Sequence, residues 1–209
     1  MNKFHLLQFY TLLKREMLEH RNVFIGAPAI LGFLLFVAAV WFLSYLDQEA
    51  VAQMLEYTTS LFEGLSPLDM APLFMIASIP FIIMLYVCCL VYLASALYQD
   101  RKDQSVLFWQ SMPVSNFKTV LSKVVTVSVV APVFYVGVLF VIYLVGMLWL
   151  TLLGFSYDID MIGLGSMFAA VLVSLVLVYL SAFCAAMWLL PSVGWLLLFS
   201  AFARKTPLM

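Results

Sequence analysis

The stretch from Tyr98 to Lys123 reads YQDRKDQSVLFWQSMPVSNFKTVLSK and lies between two long apolar segments. It is polar and carries basic charge, but it contains one short apolar run, Val106 to Trp109. Four apolar residues cannot cross a bilayer, because a helix needs about 20 residues to do so. The run must therefore be buried at the membrane surface or in another protein.

Local signals around this run predict a short helix. Asp100 is suited to an N-cap position, and Asp103 follows three residues later as in a capping box. The helix is predicted from about Arg101 to Met112, because Pro113 disfavours helical backbone in the residue before it. Ser115 is then placed to cap the next helix, which runs into the membrane.

Composition indicates the class of protein. Hydrophobic residues make up 66% of the chain, charged residues make up 10%, and the mean hydropathy is +1.10. Soluble domains are typically about 45–50% apolar and about 25% charged. The chain is therefore expected to be an integral membrane protein.

Apolar segments long enough to span a bilayer recur along the chain. They cover about 23–46, 71–97, 119–153 (charge-free from Val124) and 162–188. A fifth apolar segment, 191–203, follows Pro191 and is too short for a complete span. The predicted fold is an all-α, polytopic helical membrane protein with four clear transmembrane helices and part of a fifth.

The first 22 residues predict an amphipathic helix that lies along the membrane interface. Its apolar positions recur at spacings of three and four, and its polar side chains fall largely elsewhere. The apolar face comprises Leu6, Phe9, Tyr10, Leu13 and Met17. The polar set comprises Lys3, Gln8, Lys14, Arg15, Glu19 and Arg21.

The basic residues predict the orientation of the spans, because loops on the cytoplasmic side are enriched in Lys and Arg. Such residues precede the first span and recur between the second and the third. The second group comprises Arg101, Lys102, Lys118 and Lys123. The loops at 47–69 and 154–161 carry acids and no base. We therefore expect a multi-pass protein of the inner (plasma) membrane with a cytoplasmic N-terminus and two outward-facing acidic loops.

The pattern LYxDRKDxSxLFWxSMPVSxxxTVLSK, residues 97–123, resembles the first cytoplasmic loop of type-2 ATP-binding-cassette (ABC) exporter permeases. LLKREMLEHR at 12–21 resembles the interfacial helix of that family, and WLLPSVGWLLLFSAFARKTPL at 188–208 resembles its later hydrophobic region. The resemblance therefore extends over nearly the whole chain and is most specific in the loop. Members of the family continue into a sixth span, so this chain is expected to be truncated at its C-terminus.

The resemblance implies a function and a site. The chain would be the membrane subunit of an ABC exporter, and the loop 98–118 would hold the coupling helix that docks into a separate ATPase subunit. The implied partners are that ATPase, which would hold ATP and Mg²⁺, and a second permease subunit, identical or related. The implied coupling residues are Asp100, Arg101, Lys102, Asp103, Val106, Leu107, Phe108, Trp109 and Met112, with Phe108 and Trp109 as anchors.

The residues themselves argue against catalysis in this chain. No charged residue lies deep within a predicted span, so an ion path or proton relay is not indicated. His5 and His20 belong to the N-terminal arm and are expected at its surface, and no phosphate-binding loop is present in the sequence. Cys88, Cys89 and Cys184 are expected to pack as apolar side chains. We therefore predict no catalytic, metal or cofactor site and no binding of nucleic acid.

Two other functions are compatible with the same residues. The chain could be a non-transporting membrane scaffold or regulator that recruits a cytoplasmic partner through the same loop. An intramembrane enzyme is the second alternative, and it is disfavoured by the missing acid, base and nucleophile. The spans carry no polar site that selects among the substrates of exporters.

Overall fold

The computed structural model describes residues 3–102, 116–159 and 163–202, and these residues are almost entirely helical. The first α-helices are α1 (Lys3–Glu19), α2 (Ala27–Ser44), α3 (Gln48–Phe62), α4 (Pro67–Ala77) and α5 (Ile79–Lys102). They are followed by α6 (Asn116–Val125), α7 (Ala131–Ser156), α8 (Leu164–Trp188) and α9 (Leu190–Phe202). Two π-helical segments, π1 (Asn22–Gly26) and π2 (Thr126–Val130), lead directly into α2 and α7.

Among the described residues, four helical stretches are long and apolar enough to cross a membrane: Asn22–Ser44, Ile79–Tyr98, Phe117–Ser156 and Leu164–Trp188. They correspond to the four spans expected from the sequence, so the all-α membrane class is confirmed. α9 has only 13 residues and is shorter than a span. The third stretch is longer than predicted, because α6, π2 and α7 follow one another without a break.

The second span begins later than the predicted range of 71–97. A break at Ser78 divides that range into the end of α4 and the start of α5. Pro80 has no N–H, and its ring opposes the carbonyl of the residue four positions earlier, which disfavours a straight helix. The Ser78 hydroxyl donates to the Phe74 carbonyl at 2.8 Å on the concave side of this break. As a result α4 packs along α8, whereas α5 packs mainly against α9.

The acidic stretch 47–69 is largely helical rather than a loop. α3 occupies most of it and buries Val51 and Leu55. A capping box between Ser66 and Asp69 then begins α4. α3 lies at the end of the bundle where α2 finishes, and α1 lies at the opposite end. We call these the α3 end and the α1 end.

Both π-helical segments have the same cause. Each is followed by the dipeptide Ala-Pro, at Ala27-Pro28 and Ala131-Pro132. The alanine N–H in each case bonds to the carbonyl five residues earlier, on Asn22 and Thr126. A proline cannot donate to the carbonyl four residues earlier and clashes with it, so a wider turn before the proline relieves the conflict.

The core lies along the length of the bundle. Near its middle, Phe81, Leu139, Val171, Leu175 and Val178 form one buried cluster. A second cluster reaches toward the α1 end and joins α5, π2, α7, α8 and α9. α2 approaches α7 closely at Gly32, where a Cβ would collide with Ile142.

Candidate functional site: a buried ion pair at the α1 end

Six of the nine predicted coupling residues lie outside the described residues: Asp103, Val106, Leu107, Phe108, Trp109 and Met112. Their assignment stays a prediction. Asp100, Arg101 and Lys102 form the last turn of α5. An N-cap residue has non-helical backbone, whereas α5 continues through Asp100 without a break. The prediction that Asp100 is an N-cap is therefore wrong. Lys102, at the end of α5, is exposed.

A buried ion pair joins α1 to α6. The ammonium nitrogen of Lys123 donates to Glu16 Oε1 at 2.8 Å. Only 1% of Lys123 and 6% of Glu16 are exposed, so water hardly reaches either charge. Burying one charge without the other would cost several kcal/mol, and the pair is stable only because each group neutralises its partner.

Aromatic side chains form one wall around the pair. The Tyr92 hydroxyl, on α5, donates to Glu16 Oε2 at 2.6 Å, so each carboxylate oxygen has its own donor. The His20 ring packs edge-on against Tyr92, with 4.9 Å between centroids. Phe24 of π1 is fully buried and also contacts the Tyr92 ring edge-on, at 5.5 Å. The first π-helical segment thus supplies part of the enclosure.

Helix α6 and π2 supply the remaining polar groups near Lys123. Ser122, Thr126 and Ser128 are buried, and each hydroxyl donates to a carbonyl of its own helix at 2.8 Å. These serine and threonine hydroxyls are therefore satisfied locally. Polar contacts between α1 and α6 include the buried ion pair and a hydrogen bond at 3.4 Å from Lys118 Nζ to Gln8 Oε1.

The charge on Glu16 is favoured despite its burial. Burial by itself would raise the pKa of the Glu16 carboxyl, because the charged form loses its hydration. The nearby Lys123 charge, the hydrogen bonds from Lys123 and Tyr92, and the His20 charge act in the opposite direction and prevail. The pKa of Glu16 is accordingly lowered from its ordinary value, and the site holds a carboxylate at neutral pH.

One carboxylate therefore joins three parts of the chain. Glu16 belongs to α1, Tyr92 to α5 and Lys123 to α6. α5 and α6 are the helices that precede and follow residues 103–115. The two helices that flank this stretch are thus joined through the N-terminal helix.

The predictions from the sequence place Lys123 among the basic residues between the second and third spans and His20 at the surface, whereas both belong to this site. The buried side of α1 carries Leu12 and Glu16, which are in neither the predicted apolar set nor the predicted polar set. The available signal was the spacing of four between Leu12 and Glu16, which places a carboxylate on the inward stripe of the helix.

The cysteines and the remaining acids suggest no further chemistry. Cys88 and Cys89 are buried, Cys184 is exposed, and all three are free thiols. Within the described ranges, no three His, Cys, Asp or Glu side chains cluster so as to hold a metal ion. Comparison of the chain with family models, curated proteins and solved structures gives no match.

Proposed function

We propose that this chain is the membrane-spanning permease subunit of an ABC exporter, coupled through residues 98–118 to a separate ATPase subunit. The observation that carries the proposal is the Glu16 carboxylate, which joins both helices flanking that stretch. The resemblance of residues 97–123 to the coupling loop of type-2 permeases adds the identity of the partner. The four span-length apolar helices agree with a membrane pathway.

The proposed mechanism transmits a movement through these contacts. The ATPase partner, which would hold ATP and Mg²⁺, closes when ATP binds and displaces the coupling stretch. α5 ends in that stretch and α6 begins in it, so both helices move with it. Because Glu16 bonds to Tyr92 and Lys123, α1 moves with them as one unit. A second permease subunit, identical or related, would complete the pathway.

This function requires the chain to lie in the inner membrane of the cell, with the α1 end facing the cytoplasm. Gln53 is exposed on α3 at the opposite end. In a variant without Cys88, Cys89 and Cys184, a cysteine at Gln53 should react with an impermeant thiol reagent in intact cells. A cysteine at Gln104 should not react, and the reverse pattern would contradict the orientation.

The docking role is tested by truncating the aromatic anchors. Trp109→Ala and Phe108→Ala should each weaken binding of the ATPase subunit, because central aromatic anchors commonly cost about 2 kcal/mol or more when removed. That cost corresponds to about a thirtyfold loss of affinity. The measurement is recovery of a nucleotide-binding ATPase on the affinity-purified permease, normalised to the amount of permease in the membrane.

Phe155→Ala is the matched control, because Phe155 is 79% exposed near the end of α7, at the α3 end and away from residues 98–118. Its recovery of ATPase should equal that of the wild type. Equal recovery for Trp109→Ala, Phe108→Ala and the control would contradict the docking role. An ATPase that binds but whose turnover never responds to any transported compound would instead favour the scaffold alternative.

A further inference from the structure

We propose that the cavity beneath α3 is a binding site for the hydrocarbon chain of a membrane lipid. The cavity has a volume of about 120 Å³ and lies between α2, α3 and α7. Each of these helices contributes part of its wall. The main lining residues are Phe42, Leu43, Val51, Leu55, Trp149 and Leu153. The site lies at the α3 end, far along the bundle from the ion pair, and does not depend on an ATPase partner.

The chemistry of the lining selects an apolar occupant. Thr58 and Trp149 are the lining residues that carry a polar group, and the surface that faces the cavity is apolar. The Thr58 hydroxyl donates to the Leu55 carbonyl at 2.7 Å. A buried water needs two to four polar partners, and this lining does not provide them. Apolar cavities of about 150 Å³ stay dry and bind benzene or xenon, so this volume suits a segment of hydrocarbon.

The surroundings indicate a lipid as the source of that hydrocarbon. The walls continue into large exposed apolar side chains, with Phe42 59%, Leu148 65% and Leu152 67% exposed. These residues lie on span-length helices, so their exposed surface contacts lipid in a membrane. A chain from a neighbouring lipid can therefore enter the cavity without crossing water.

Helix α3 covers the cavity, and an occupant of the cavity would pack against it. It buries Val51 and Leu55 toward the cavity, whereas Glu49 and Glu56 are exposed. Along its length it has few close backbone neighbours among the described elements. Its last residue, Phe62, stacks on Phe74 at 6.5 Å between ring centroids. A hydrocarbon chain in the cavity would add contacts beneath the middle of the helix.

Trp149 offers a direct reporter of occupancy. It lines the cavity, and its ring is held edge-on against Phe36 at a centroid distance of 5.3 Å. The full chain would carry Phe in place of Trp41, Trp109, Trp188 and Trp195, leaving Trp149 as its sole tryptophan. Reconstituted into phosphatidylcholine nanodiscs with brominated acyl chains, this protein should show strong quenching of Trp149 fluorescence relative to unbrominated nanodiscs.

Two substitutions at Val51 distinguish quenching by an acyl chain inside the cavity from quenching by lipid at the outer surface. Val51→Phe fills the cavity and should remove most of the quenching, whereas Val51→Ala enlarges it and should increase the quenching. Gln53→Phe adds the same ring on the exposed side of α3 and should leave the quenching unchanged. The Ala variant covers the case in which the Phe variant fails to fold. Quenching equal to that of the parent in both Val51 variants would overturn the proposal.

Discussion

The two ends of this helical bundle are stabilised by different kinds of contact. At the α1 end, one carboxylate bonds at 2.6 Å and 2.8 Å to side chains of two other helices, beside the packed rings of His20, Phe24 and Tyr92. At the α3 end, a cavity of about 120 Å³ separates an amphipathic helix from the spans beneath it. The first end is specified by directional polar contacts, and the second by non-directional apolar contact.

This difference has a mechanical consequence. Directional bonds between buried charges favour one relative position of α1, α5 and α6, because any shift leaves a charge without its partner. Apolar contact across a cavity tolerates displacement, since lost dispersion contacts can be regained with a lipid chain or by collapse. We therefore expect the α1 end to transmit displacement and the α3 end to adjust to its surroundings.

The largest expected effect comes from separating the buried charges. Lys123→Met leaves the Glu16 carboxylate buried without its ammonium partner and should lower the unfolding free energy by about 3–5 kcal/mol. The double variant Glu16→Met with Lys123→Met should recover most of that loss, because an apolar pair can replace a buried ion pair. Denaturation in a single detergent measures both. A double variant less stable than either single variant would show that packing, not charge, accounts for the loss.

A pair of leucines compares the packing of the two ends. Leu→Ala in a core costs about 2–5 kcal/mol, and the cost is smaller where the site can collapse. Leu12 lies on the buried side of α1, and Leu55 lines the cavity beneath α3; they are 6% and 4% exposed. Leu12→Ala should fall at the upper part of that range and Leu55→Ala at the lower part. The denaturation assay used for the charge variants measures both, and equal losses would mean that α3 is packed as firmly as α1.

Substitution of two tyrosines compares the stability contributed by a hydrogen bond to a charged group with that of a hydrogen bond to a neutral group. Tyr92 donates to the Glu16 carboxylate, whereas Tyr143 donates to the Phe74 carbonyl at 2.7 Å beside the break between α4 and α5. Tyr92→Phe should cost about 1.5–3 kcal/mol and Tyr143→Phe about 0.5–1.5 kcal/mol. The reverse order would indicate that the Glu16 carboxylate gains little from its Tyr92 donor.

The smallest expected effect is that of mild acid. Because the pKa of Glu16 is lowered in the folded chain, its contribution to stability is complete above the ordinary carboxyl pKa of about 4.3. That contribution is lost as the pH falls through the lowered value. Stability should therefore change little through Glu16 between neutral pH and about pH 5. The measurement is the difference between wild type and Glu16→Gln across this pH range, and a difference that shrinks already at pH 6 would contradict the lowered pKa.

The amino-acid sequence by itself determined the class of fold. Long charge-free runs leave a chain no alternative to apolar helices, because backbone polar groups in a bilayer must be satisfied within the segment. The four span-length helices and the short α9 follow from this rule. Prolines also determine local structure. Pro80 follows the break in the predicted second span, and Pro28 and Pro132 follow the two π-helical segments, none of which the sequence predictions included.

Only the tertiary structure decided which residues form the buried ion pair. Glu16 and Lys123 are separated by 107 positions, and each looks alone like an ordinary charge beside the membrane. Their pairing depends on the rotation of α1 about its axis and on the depth at which α6 packs, and a helical pattern specifies neither within one residue. The cavity beneath α3 likewise arises from three helices whose separation is set by packing, because shape complementarity between side chains is a property of the folded chain.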